Sequence, residues 1–198
     1  MENNVLQSIL LIAGAYLLGS IPTGLLLAKA AGVDIRTTGS GNIGATNVYR
    51  SLGRNIGVLT LVGDSLKGLI PVLVARQLGM GDSLIAAIGC AAFLGHVYTI
   101  FLRFKGGKGV ATALGVFLGV SPLSIGIALI IFIAVVAAFR YISLGSITAA
   151  AAMPFTVTLL DPRPPIIAMT TLIALLVIWK HRENIRRLRE GTESRFKA

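Results

Sequence analysis

Residues 122–139, PLSIGIALIIFIAVVAAF, form an uninterrupted apolar run. It contains no charged side chain and ends directly before Arg140. A helix needs about 20 predominantly apolar residues to cross the hydrocarbon core of a bilayer, with a range of roughly 17–25. The stretch therefore predicts a membrane-spanning helix.

Other apolar runs flank this one along the whole chain of 198 residues. Hydrophobic residues make up 55% of the chain and charged residues only 13%, whereas a soluble domain carries about 25% charged residues. We therefore predict an all-α, polytopic membrane helix bundle that forms a single domain over residues 1–198. The predicted spans, about seven in number, are residues 5–28, 56–78, 83–102, 109–120, 122–139, 142–160 and 165–179.

Charge placement predicts the orientation of this bundle. With the N-terminus outside and seven spans, 15 of the 18 Lys and Arg residues lie in inward loops or in the tail from Lys180 to Lys197. Cytoplasmic loops carry an excess of Lys and Arg, so we expect a cytoplasmic C-terminus. Residues 1–7, MENNVLQ, lack the basic start of a cleaved signal peptide, which favours a retained first span. The alternative, a single span over residues 109–139, places the basic tail outside and fits worse.

The net charge of +10 indicates an anionic partner. Because the basic residues lie between apolar runs, nucleic acid is not the expected partner, and an anionic membrane lipid surface or substrate is. Cys90, the single cysteine, lies within an apolar run and cannot form an intrachain disulfide. The eight acidic residues form no pair at an inward loop, so we expect neither a metal site nor a cofactor.

The first inward segment with chemical features is residues 37–50, TTGSGNIGATNVYR. Gly39 and Gly41 allow the backbone to approach a ligand closely. Ser40 or Asn42 is predicted to cap a short helix that follows. A helix N-terminus after a glycine-rich lead presents N–H groups that suit a phosphate.

Two side chains of that predicted helix are spaced to meet an anion. Thr46 and Arg50 are four residues apart and share a helix face. Arg50 can offer a bidentate clamp. The alternative is an ordinary interfacial helix whose arginine only sets its orientation in the membrane.

The second segment is residues 104–112, FKGGKGVAT. Gly106 and Gly107 beside Lys108 predict a backbone nest with a point charge at a helix start. The spacing does not match a Walker A loop. The alternative is a flexible basic loop that follows the positive-inside rule.

The third segment is the tail, residues 180–193, KHRENIRRLREGTE. If the last helix continues past the membrane, His181 and Asn184 lie three residues apart on one face. The remaining arginines are expected to meet anionic lipid headgroups.

Polar groups also occur within the predicted spans. Asp64 and Lys67 are one helical turn apart, and pairing lowers the cost of placing charges in a bilayer, so we predict a structural ion pair that orients the site from below. Ser146 can point a hydroxyl at the cytoplasmic mouth. His96 is predicted to be a hydrogen-bonded residue of the bundle and not a catalyst.

Taken together, these segments resemble the bacterial acyl-phosphate:glycerol-3-phosphate acyltransferases. The resemblance is carried by GSGNIGATNVYR (residues 39–50), FKGGKGVAT (104–112) and KHRENIRRLREGTE (180–193), in this order between apolar spans. GSIPTG (19–24) and DSLKG (64–68) also fit.

The resemblance implies a seven-span membrane enzyme with a cytoplasmic active site. Such an enzyme transfers an acyl group from acyl phosphate, not from acyl-CoA or acyl carrier protein, to glycerol 3-phosphate. The products are 1-acyl-glycerol 3-phosphate (lysophosphatidate) and phosphate, in the first acylation of phospholipid synthesis. It also implies a functional link to the enzyme that makes acyl phosphate.

Motif by motif, the resemblance assigns residues to the substrate site. The assigned residues are Ser40, Asn42, Thr46, Arg50, Gly106, Gly107, Lys108, Ser146, His181 and Asn184. We expect Arg50, Lys108 and Asn184 to hold the glycerol phosphate. The donor phosphate is assigned to Ser40, Asn42, Thr46, Ser146 and the Gly106–Gly107 backbone, and Lys108 can bridge the two. The general base is either His181 or an oxygen of the donor phosphate.

The rival hypothesis is a transporter or flippase of an anionic solute, which broken helices and the internal charges Asp64 and Lys67 would serve. The sequence shows no inverted repeat, and its polar motifs collect on one side of the predicted membrane. The sequence therefore favours the enzyme.

Overall fold

The computed structural model describes residues 5–196, and over that range all regular secondary structure is helical. The chain divides into two compact units, one ending at Val120 and the other beginning at Ser121. Residues 1–4 and Lys197, which the sequence assigns to the outer end and to the basic tail, lie outside the described residues.

The first unit contains six α-helices and one short 3-10 helix, Ile100–Leu102, among its described residues. The α-helices are α1 (Val5–Ser20), α2 (Thr23–Ala30), α3 (Ala45–Leu52), α4 (Arg54–Gln77), α5 (Asp82–Val97) and α6 (Val110–Val120).

Small residues let the helices of this unit pack backbone to backbone. A Cβ atom on Gly19 of α1 would clash with the Ala92 carbonyl of α5, and one on Gly95 of α5 would clash with the Tyr16 carbonyl of α1. Close approach through glycine is how helices associate in lipid, where burial of apolar surface provides little driving force.

The crossing of α4 and α6 is built in the same reciprocal way. A Cβ on Gly68 would meet the Thr112 carbonyl, and one on Gly115 would meet the Ser65 carbonyl. Because α4 and α6 are held this closely, the residues just before α6 have a defined position relative to α4.

The second unit contains four helices among its described residues: α7 (Pro122–Phe139), α8 (Ile142–Leu160), α9 (Pro164–Lys180) and α10 (Arg182–Arg189). Apolar side chains on α7 face outward, and Ile130 and Ile133 are 68% and 63% exposed. Exposed side chains of this kind suit a helix that faces lipid. At the end of α9, the Arg182 guanidinium lies 4.7 Å from the centroid of the Trp179 ring.

The predicted all-α membrane bundle is confirmed. By length and hydropathy, five segments within residues 5–196 are able to cross a membrane: Val5–Ala30, Arg54–Gln77, Asp82–Leu102, Pro122–Phe139 and Ile142–Leu160. α9 and α10 pass the same test only as a pair, and α6 is a shorter apolar helix. The count of seven spans and their orientation therefore stay predictions.

Two local predictions have clear outcomes. Ser121 is not helical and separates α6 from α7, so residues 109–139 do not form one continuous helix. The condition set for the tail, that the last helix continues past the membrane, is not met, because α9 ends at Lys180 and the chain bends by 53° into α10. His181 lies at this bend.

Candidate active site

Asn47 organises the first inward segment. Its side chain is buried on α3, and its Nδ2 lies 2.9, 3.0 and 3.3 Å from the carbonyl oxygens of Asn42, Thr38 and Ile35. Its Oδ1 accepts a hydrogen bond of 2.9 Å from the Ser40 N–H. One amide therefore ties the ends and the middle of the loop to the helix that follows.

Glycines allow the loop to fold around this amide. Gly39 and Gly41 have φ angles of +59° and +68°, which L-residues with a side chain adopt at a cost. A Cβ on Gly39 would also clash with Asn47 Oδ1. The two glycines that the sequence singled out are thus required for the loop's shape.

The predicted loop residues have different surroundings. Ser40 is exposed, and the Asn42 Oδ1 accepts a hydrogen bond of 2.8 Å from the Gly44 N–H. The prediction that Ser40 or Asn42 caps the helix is wrong, because Gly44 is the N-cap residue and no side chain bonds there. Instead, the Asn42 side chain closes a turn just before the helix.

Thr46 and Arg50 lie on α3 four residues apart, as predicted, and both are exposed. Side chains with this spacing share a helix face. They are accessible to a ligand from solvent.

The glycine loop, residues 105–109, lies against the C-terminal end of α5. The Gly106 N–H donates to the Val97 carbonyl and the Gly107 N–H to the His96 carbonyl, each at 3.2 Å. Gly107 is buried, whereas the Lys108 side chain is half-buried. Backbone hydrogen bonds thus hold the loop in place, and the Lys108 side chain stays partly exposed.

The first loop and the glycine loop line one open cavity of about 320 Å³. Of the predicted site residues, it brings together Ser40, Asn42 and Gly106. Thr46, Arg50, Gly107 and Lys108 belong to the same two segments but do not line this cavity.

Arg36 and Lys105 also line the cavity, and sequence reasoning missed both. The Arg36 Nη2 lies 3.4 Å from the Lys105 carbonyl oxygen, so the two segments also contact each other. The sequence feature that could have identified these two residues is their position next to a glycine-rich motif. Two cations and a polar lining suit a small anion.

In the second unit, a carboxylate holds the tail. Glu193 Oε1 accepts hydrogen bonds from Asn184 Nδ2 at 2.6 Å and Ser143 Oγ at 2.7 Å. Glu193 Oε2 accepts one from Arg187 Nε at 2.7 Å. We call these four residues the tail clasp. Sequence reasoning missed Ser143 and Glu193, although Glu193 closes the third motif.

The tail clasp explains the ionisation of its carboxylate. Burial by itself raises the pKa of Glu193, but the hydrogen bonds from Ser143, Asn184 and Arg187, with the charge of Arg187, outweigh it and hold the pKa below its ordinary value. Glu193 is therefore ionised at neutral pH, and it fixes the amide of Asn184.

Ser146 and His181, the other predicted site residues of this unit, are both buried. The Ser146 hydroxyl donates to the Ile142 carbonyl at 2.9 Å within α8. His181 Nδ1 lies 2.8 Å from the Val177 carbonyl oxygen. Since a carbonyl only accepts, we assign the proton to Nδ1, which leaves the lone pair of the neutral ring on Nε2.

Comparisons with known proteins agree with one another. The sequence profile of a family described as glycerol-3-phosphate acyltransferase matches residues 9–191. A glycerol-3-phosphate acyltransferase of Geobacter metallireducens is 77% identical over 98% of this chain and 100% of its own length. One from Geobacter sulfurreducens is 71% identical over the same shares.

Solved structures are similar as well. A crystal structure of PlsY (YgiH), an integral membrane glycerol 3-phosphate acyltransferase in its glycerol 3-phosphate form, superposes with a TM-score of 0.93 at 44% identity, covering 96% of each chain. The lysophosphatidic acid form gives a TM-score of 0.90 at 44% identity, over 96% of this chain and 95% of that one.

Proposed function

The chain belongs to the glycerol-3-phosphate acyltransferase family, and we propose that it transfers an acyl group from acyl phosphate to glycerol 3-phosphate. The products are lysophosphatidate and inorganic phosphate. The observation that carries the proposal is the cavity lined by both glycine-bearing segments together with Arg36 and Lys105.

The donor explains why the described residues need no covalent nucleophile. An acyl phosphate is a mixed anhydride, and its phosphate departs readily. The oxygen of a glycerol 3-phosphate hydroxyl attacks the acyl carbonyl carbon. The bond from that carbon to the phosphate oxygen breaks, and phosphate leaves with the electron pair. The enzyme's task is to neutralise two like-charged substrates and align the reacting atoms.

Two cations carry the first part of this task. The half-buried Lys108 provides a positive charge within the glycine loop. Arg50 offers a planar guanidinium that can bind a phosphate through two hydrogen bonds. We assign glycerol 3-phosphate to Arg50, Lys108 and Asn184. We assign the donor phosphate to Ser40, Asn42, Thr46, Ser146 and the Gly106–Gly107 backbone, and add Arg36 and Lys105 because they line the cavity.

The hydroxyl proton has two possible acceptors. With its Nδ1–H directed at the Val177 carbonyl, neutral His181 carries the lone pair on Nε2, as a general base requires. The departing phosphate can accept the proton instead. A His181→Gln variant separates these routes: a large loss of kcat supports the imidazole, and an unchanged kcat assigns the proton to the phosphate.

The proposal also includes the side of the membrane on which the reaction takes place. The excess of Lys and Arg in the predicted inward loops supports an active site on the cytoplasmic face of a bacterial inner membrane. The lysophosphatidate product stays in the membrane. An enzyme that makes acyl phosphate must supply the donor.

The test is an assay of the purified protein in detergent, with acyl phosphate and glycerol 3-phosphate, that measures phosphate release and lysophosphatidate. We expect both products in equal amounts. Lys108→Met should lower kcat/KM by about 10²–10³-fold, the cost of removing one preorganised charge. Lys29→Met, a matched change of an exposed lysine at the end of α2, should leave kcat/KM unchanged.

Other outcomes would overturn parts of the proposal. No product from acyl phosphate, with product from acyl-CoA, would make the donor assignment wrong. Solute movement in vesicles without any acyl transfer in detergent would support the transporter.

A further inference from the structure

Beneath the glycine loop, the first unit buries three titratable side chains, which we call the core network: Asp64 and Lys67 of α4 and His96 of α5. Their exposures are only 2%, 4% and 4%. Lys67 Nζ lies 2.9 Å from Asp64 Oδ1, which confirms the predicted ion pair, and donates to the Ile21 carbonyl at 2.8 Å. His96 Nδ1 lies 3.7 Å from the same carboxylate oxygen.

The imidazole of His96 extends the core network to the glycine loop. A Cβ atom on Gly107 would clash with the ring at Nε2, and one on Gly106 would clash with the His96 carbonyl. The Gly107 N–H donates to that carbonyl. The loop backbone therefore packs directly against His96 at Gly107, the residue that precedes Lys108.

Stability alone is a poor reason for such a network. Removing two charges from water is costly, and replacing a buried ion pair by apolar residues is often neutral or stabilising. Direct chemistry is also a poor reason, since Nδ1 of the His96 ring faces the Asp64 carboxylate and Nε2 lies against Gly107. A role in orienting the loop accounts for the contact of the ring with both Asp64 and Gly107.

We propose that Asp64, Lys67 and His96 are positioning residues that hold the glycine loop, and with it the Lys108 ammonium, in the geometry that receives a substrate phosphate. The chain of contacts runs from the ion pair through the imidazole to the Gly107 backbone. The inference rests on the proposed function for its kinetic consequence. Its structural consequence, the order of the loop, is independent of any activity.

The first measurement is hydrogen exchange of the purified protein, comparing the peptide that contains residues 104–109 with peptides of α1 and α4. The double variant Asp64→Asn/Lys67→Met removes both charges together, so neither is left unpaired. We expect exchange at Gly106 and Gly107 to rise by about tenfold or more, and exchange in the helix interiors to stay within about twofold.

The second measurement separates positioning from folding. In the double variant, we expect the KM for glycerol 3-phosphate to rise by about tenfold or more, because a misplaced charge binds the phosphate less well. A purely structural role would lower the amount of active enzyme and leave KM unchanged. The matched control is Asp161→Asn/Arg163→Met, which removes another short ion pair, 2.6 Å, in the α8–α9 connection. It should alter neither KM nor loop exchange.

A single variant keeps the test valid if the double variant does not fold. His96→Phe leaves the ion pair in place and fills the ring's space, and it should raise both loop exchange and KM. His96→Gln keeps a polar group that can face Asp64. Its loop exchange and its KM should therefore both be closer to the parent values than those of His96→Phe.

Unchanged loop exchange in the folded variants, or exchange that rises equally in every peptide, would overturn the proposal. Altered loop exchange with unchanged KM would overturn the link to substrate. If the parent protein shows no acyl transfer, the proposed function fails, and the exchange result still decides whether the network holds the loop.

Discussion

Replacing Asn47 by aspartate tests whether one buried amide holds the first loop in shape. The two side chains have nearly the same size, so the change is electronic. Nδ2 faces three carbonyl oxygens at 2.9–3.3 Å, and aspartate supplies at most one donor there, and only when it is protonated. In the ionised variant, a carboxyl oxygen therefore replaces the NH2 group and faces the carbonyl oxygens without donating hydrogen bonds to them.

The magnitude follows from the lost contacts. One or two hydrogen bonds disappear, each contributing about 1 kcal/mol, and carbonyls left without a donor cost about 1–3 kcal/mol more. A total of about 3 kcal/mol corresponds to about two orders of magnitude in an equilibrium between ordered and disordered loop. We therefore expect kcat/KM for acyl transfer to fall by up to about 100-fold.

The assay is acyl transfer in detergent, with a thermal melt to show that the helices remain folded. The matched control is Asn55→Asp, the same chemical change at an exposed position in the first turn of α4. The reasoning would be refuted if Asn47→Asp kept kcat/KM within about threefold of Asn55→Asp, because the loop would then not depend on the amide.

Three further predictions concern other parts of the fold. Because the pKa of Glu193 is lowered in the folded state, the tail clasp stabilises fully above the ordinary glutamate pKa of about 4.3 and less as pH falls through the lowered value. Melting temperature should therefore drop on acidification in the parent, and drop less in Glu193→Gln; equal pH profiles would contradict this. Gly107→Ala should lower kcat/KM by about tenfold, since its Cβ would displace the loop from His96; an assay at parent level would disprove it. Gly115→Val should destabilise by about 1–3 kcal/mol at the α4 crossing, whereas Gly14→Val, with open space around it, should not; similar melting temperatures would count against the tight crossing.

Sequence reasoning located the segments of the candidate site better than the contacts within them. Gly39 and Gly41 could be selected because glycine at a ligand loop has a recognisable composition, and the loop does need their positive φ angles. Asn47 was not selected, although it lies in the quoted motif, because nothing local distinguishes an asparagine that folds back onto a loop from one that faces water. Whether the last helix continues past the membrane was left open by the sequence, and His181 lies at a bend between two helices.

From the sequence alone it follows that this chain is a helical membrane protein with glycine-rich, cation-bearing motifs in its polar segments. The reason is local: in lipid, a long apolar run must satisfy its own backbone hydrogen bonds, and a helix does so within the segment. Tertiary packing, by contrast, brings His96 against Gly107 and brings Glu193 within hydrogen-bond distance of Ser143, which is 50 residues away. Such pairings depend on which helices the close contacts of small residues bring together, and no periodicity within one segment contains that information.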